Sequence, residues 1–173
     1  MTGIEFARAV ALADIGDGIE RAIAATATEC DALARRFDLR ALDSLQARFA
    51  LAPVAAGIRV SGRVTASVVQ ACVVSGEDVP ALVDEPVELM LLRDIGAGEE
   101  IELAAADCDV LPLEDRAIEI GEIAAQTLGL ALDPYPRAAP DALAEARRHL
   151  TSEEAAKAAA NPFAVLRQPG SRR

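Results

Sequence analysis

Few side chains in this sequence could carry chemistry. His149 is the single histidine, so a metal site built on two histidines is ruled out, and a Ser-His-Asp or Cys-His arrangement would have to recruit that one residue. It sits among Arg147, Arg148 and Leu150 near a predicted helix end, where a cation is electrostatically favoured, and it reads as a surface residue. Cys30, Cys72 and Cys108 are odd in number and widely spaced, which suits reduced thiols better than a disulfide framework. Cys72 falls on the apolar face of a predicted strand, the place of a structural thiol. The acid pairs Glu99-Glu100 and Asp107/Asp109 could hold a hard cation, but they lack the spacing of a calcium loop and read as solvated acids. No glycine-rich phosphate cradle occurs. The residue types therefore predict no catalytic, cofactor or metal residue, and an enzyme is the reading they support least.

Charge is more informative. The formal net charge is −11 over 173 residues, and it is unevenly placed. Residues 1–76 balance eight acids with eight arginines, whereas residues 77–122 set fifteen acids against Arg93 and Arg116 alone; residues 123–173 carry five acids and seven basic residues. Binding nucleic acid nonspecifically requires Lys and Arg to displace counterions, so the acidic middle disfavours RNA and would attract a basic protein. Aromatic residues are 3% with no Trp, which argues against base-stacking platforms. Fifty-two per cent hydrophobic residues suffice for a core built from Val, Leu, Ile and Ala. No apolar run approaches the roughly 20 residues of a membrane span, and MTGIEFARAV lacks the features of a signal peptide, so a cytoplasmic protein is expected.

The element most plainly written in the sequence is a β-hairpin. Ile58, Val60, Val64, Ala66, Val68 and Cys72 alternate with Arg59, Ser61, Arg63, Thr65 and Ser67; after the turn Ser75-Gly76-Glu77-Asp78, residues Val79, Ala81, Val83, Val87 and Leu89 share a face. Gly62 marks a bulge or a close approach, and Pro80 and Pro86 push the return strand towards a sheet edge. Earlier in the chain, strands are predicted over 4–12, 19–26 and 42–51, with a short amphipathic helix capped by Thr28 between the second and third. Residues 94–112 read as a loop, and a helical pattern from Ala117 ends at Asp133-Pro134-Tyr135-Pro136. The fold expected is α+β, a mainly antiparallel and curved or partly barrel-like sheet with two short packed helices. Residues 1–136 form the domain and 137–173 a helical or flexible tail, Ala-rich and ending in Asn161, Pro162, Phe163, Ala164, Val165 and Leu166. That apolar cluster would either dock a partner or fold back on the sheet.

Three segments together carry a family resemblance: VTASVVQACVVSGEDVPALVDEPVEL at 64–89, IEIGEIAAQTLGLALDPYPR at 118–137, and NPFAVL at 161–166. The chain resembles the YceD family of large ribosomal RNA subunit accumulation proteins, in the form common in alphaproteobacteria. The resemblance implies a bacterial ribosome-biogenesis factor with no known catalysis. Many relatives carry Cys-x-x-Cys at the hairpin, a plausible zinc pair; here Cys72 matches the first cysteine and Ser75 stands at the second, so zinc is not carried over.

These readings converge on a non-enzymatic accessory factor that acts through a ribosomal or ribosome-assembly protein. The expected contacts are Glu99, Glu100, Glu102, Asp107 and Asp109 on the acidic segment and Asn161, Pro162, Phe163, Val165 and Leu166 in the tail. No membrane, DNA or cofactor is involved. Direct RNA binding by the basic C-terminal arm, or small-ligand carriage in a cavity of the sheet, are the alternatives.

Overall fold

The computed structural model describes residues 4–55, 57–92, 109–113 and 116–140. Its backbone is a five-stranded sheet in the order β2 (Ile19–Ala24), β3 (Ala41–Val54), β4 (Gly57–Ala71), β5 (Asp78–Leu92) and β6 (Asp109–Pro112). The first four run antiparallel to their neighbours and β6 lies parallel to the end of β5. The sheet stays open, with β2 and β6 as its edge strands, so it does not close into a barrel. A second ribbon pairs β1 (Ala9–Ala11) with β7 (Ala117–Glu119). Two helices complete the α+β fold, α1 (Ala27–Arg36) and α2 (Ile120–Ala131).

The expected alternation sets the two faces of the hairpin. Val60, Val64 and Val68 of β4 are buried, and Val83 and Val87 of β5 join them in one core with Leu33 of α1 and Ile120, Ala124 and Leu128 of α2. In the register of β3, β4 and β5, Phe49, Gly62 and Val87 form one cross-strand row on this face. A Cβ at Gly62 would strike the Arg48 carbonyl oxygen and the Phe49 ring, so the close approach expected from the sequence is present. The arginines of β4 point to the opposite, solvated face, where Arg63 pairs with Asp84 at 2.7 Å.

The N-cap of helix α1 lies two residues before the expected one. Thr26, not Thr28, is the N-cap: its backbone is extended, its hydroxyl accepts the Glu29 N–H, and Glu29 returns a carboxylate oxygen to the Thr26 N–H at 2.8 Å. This capping box was legible as Thr26-x-x-Glu29. Arg8 grips the same carboxylate through two nitrogens at 2.7 and 2.9 Å, tying the start of the chain to the helix. Arg36, at the other end of α1, makes a forked contact with Glu122 of α2 at 2.7 and 2.9 Å.

Three other boundaries differ from expectation, each for a tertiary reason. The first strand shrinks from 4–12 to Ala9–Ala11 because its only partner, β7, is three residues long. Residues 117–119 are that partner, and helical backbone starts only at Ile120. Within the expected loop, Asp109–Pro112 is a strand because the exposed end of β5 offers its backbone at Leu89–Leu92.

Two outcomes check this account. Gly62→Ala should destabilise the fold by about 1–3 kcal/mol in urea melts, since the added methyl meets backbone rather than a movable side chain. Thr26→Ala should cost about 1 kcal/mol at neutral pH. Hydrogen bonds from Arg8 first, then from Thr26, lower the Glu29 pKa from 4.5 to about 2. Its contribution is therefore complete above pH 4.5 and is lost as the pH falls towards 2, so wild-type and Glu29→Gln melts should converge over that window.

Candidate functional site

The acids of the second half of the sheet gather along one edge. Strand β5 pairs with β4 along its whole length, whereas on its other side β6 covers Leu89–Leu92, and among the described residues no strand lies beside residues 78–88, the uncovered edge of β5. Both prolines of the strand, Pro80 and Pro86, lie in this uncovered stretch, as a residue without an N–H requires. Between this edge and the last turn of α2 runs an open groove of about 270 Å³. Val87, Leu89, Leu130 and Ala131 supply its apolar surface, and Glu85, Glu88 and Asp109 its charge.

Each acid arrives by a different route. Glu85 sits opposite Val64, in the row that is otherwise Val79, Ala81, Val83, Val87 and Leu89, so it puts a carboxylate where alternation would put an aliphatic group. It remains exposed because, among the described residues, no strand covers the edge there. Glu88 belongs to the opposite row, facing Ser61. Asp109 opens β6 beside Leu89 and closes the end of the groove. None of the three pairs with a cation among the described residues, whereas Asp84 is occupied by Arg63 and Asp78 lies 3.9 Å from Arg40. Leu130, in the same groove, is 86% exposed.

Asp109 is thus the one expected contact that the structure describes, and it joins Glu85 and Glu88 instead of the acids nearest it in sequence. Glu99, Glu100, Glu102 and Asp107, and Asn161, Pro162, Phe163, Val165 and Leu166 of the tail, lie outside the described residues, as do His149 and Cys108. Sequence reading missed Glu85, Glu88 and Leu130. A charge interrupting the inward row of β5 was a signal for the first; nothing in the helical pattern of α2 marked Leu130 as facing a groove.

Cys72 defines a second locality. Its sulfur accepts the Ser75 N–H at 3.4 Å and the Ala138 N–H at 3.3 Å, and the residue is 4% exposed. The Val73 N–H donates to the Pro136 carbonyl, and the Gln70 side chain to the Asp133 carbonyl, each at 2.9 Å. The hairpin tip is therefore held by the segment after α2 as well as by its own turn, in which Gly76 takes φ +73° and donates to the Cys72 carbonyl. Hydrogen bonding from the Ser75 side chain, then from the Ala138 and Ser75 amides, favours the thiolate and lowers the Cys72 pKa from 9.0 to about 6. Among the described residues, no group of three or more metal-binding side chains gathers at this sulfur.

The family model described as "Large ribosomal RNA subunit accumulation protein YceD" matches residues 60–168, more than half of the chain. The match takes in the hairpin, the groove and α2. No curated protein and no solved structure matches.

The Cys72 environment is checked by thiolate absorbance at 240 nm. A step near pH 6 should be present in the full chain and absent from Cys72→Ser, while the thiol of Cys30, whose pKa is raised by burial, ionises higher. Because the folded-state value lies below the ordinary one, stabilisation from this latch is complete above pH 9 and declines as the pH falls towards 6.

Proposed function

The chain belongs to the YceD family, whose name ties it to accumulation of large-subunit ribosomal RNA, and we propose that it serves that process as a non-enzymatic adaptor bound to a basic ribosomal or assembly protein. The observation that carries this reading is the layout of charge. Glu85, Glu88 and Asp109 face one open groove beside exposed apolar surface, without cations of their own among the described residues. An array of this kind repels phosphate and attracts Lys and Arg, which favours a protein partner over RNA as the direct contact.

Among the described residues no polar or charged residue is buried, so the charged side chains that could meet a partner lie at the surface. No described helix is long and apolar enough to cross a membrane, which is compatible with work alongside ribosomes in the cytoplasm. Glu99, Glu100, Glu102 and Asp107 would extend the attractive field, and the Phe163–Leu166 peptide would supply a second contact.

A pulldown from growing cells with the full chain, with and without nuclease, tests the reading. A basic ribosomal or assembly protein should remain bound after nuclease treatment, and its retention should weaken as salt rises from 50 to 300 mM, roughly within the range over which surface charges become screened. Recovery of ribosomal RNA with loss of every protein upon nuclease treatment would overturn the adaptor role and favour direct RNA contact.

A further inference from the structure

We infer that the groove between the uncovered edge of β5 and the last turn of α2 takes a helix of the basic partner, seating one apolar side chain beside Leu130 with Lys or Arg one turn to either side. The inference rests on the adaptor reading and names where and how the partner would bind.

Three observations select this occupant. The groove has an apolar surface from Val87, Leu89, Leu130 and Ala131, and Leu130 is 86% exposed, so a dry contact is available for an aliphatic anchor. Charge stands on separate walls: Glu85 and Glu88 come from the two faces of β5, and Asp109 from the start of β6. Cations one turn before and one turn after an apolar residue, at i−4 or i−3 and i+3 or i+4, share its helix face and can reach separated carboxylates while it points into the groove.

The third observation weighs against the other common way of filling a sheet edge. Adding a strand requires an unbroken row of backbone donors and acceptors. Along residues 78–88, Pro80 and Pro86 have no N–H, and Glu85 places an inward charge in the row that a pairing strand would have to cover. These are the features that keep edges from pairing. These features disfavour β-addition at this edge, and among the described residues nothing fills the groove beside it.

The test uses the full-length chain and RNA-free total protein extracted from purified large ribosomal subunits as the probe. Benzoylphenylalanine placed at position 130 reports contact directly, because that side chain is exposed and its replacement leaves the core intact. Irradiation should join it to one basic protein, through a helical peptide with an aliphatic residue flanked by Lys or Arg. The Glu85→Gln, Glu88→Gln, Asp109→Asn variant should bind that protein about tenfold or more weakly and with a flatter salt dependence, at an unchanged melting temperature.

If the wild-type chain retains no basic protein from the extract, both the adaptor reading and the groove fall. If it retains one with equal affinity in the triple variant, and position 130 does not crosslink, the adaptor reading stands and the groove is wrong. Crosslinking to a second copy of the chain, or to an extended rather than helical peptide, would also overturn the inference.

Discussion

Strand β4 is the constraint on which the rest of the structure depends. It is paired on both sides from Gly57 to Val69, so its alternation dictates which residues of β3 and β5 can face the helices. Every second residue is committed to the core, and one slip of register would send Val60, Val64 and Val68 into water. Gly62 is the point of least tolerance, because Phe49 crosses over it and the row continues to Val87. Helices α1 and α2 settle on that inward face, joined to each other by the fork of Arg36 on Glu122.

The same alternation sorts charge. Arginines of β3 and β4 go to the solvated face, where Arg48 lies opposite Arg63 and Asp84 offsets the second. Asp84 stays on that solvated face with Arg63, whereas Glu85 and Glu88 of β5 and Asp109 of β6 line the groove beside α2. A compositional imbalance along the chain thereby becomes a spatial one. Among the described residues β6 covers only Leu89–Leu92 of β5, and the groove lies between the uncovered part and α2.

The latch at Cys72 connects the two ends of this arrangement. The hairpin tip holds the segment that follows α2, so it fixes the direction in which the chain leaves the domain towards its C-terminal peptide. Two backbone amides directed at one sulfur perform mechanically what a shared metal would otherwise do. Turn chemistry alone does not shape the tip, since three of the five contacts described there span more than 60 positions.

Much of this was legible in the chain itself. Period-2 patterning gave the long hairpin, its inward residues and the special place of Gly62, because those features depend on local backbone chemistry and on which side chains avoid water. The prolines suggested an edge strand, whereas β5 lies between β4 and β6 and holds both prolines in the stretch that β6 does not reach. The family membership was likewise carried by linear motifs. Short elements were not legible: β1, β6 and β7 have three or four residues each, too few for a period, and exist because a partner strand offers its backbone. The groove was equally hidden. Sequence determined that the middle of the chain is acidic; only tertiary structure decided that Asp109 lines one groove with Glu85, Glu88 and Leu130, because proximity there is set by the register of β6 on β5 and by where α2 ends, which no local pattern encodes.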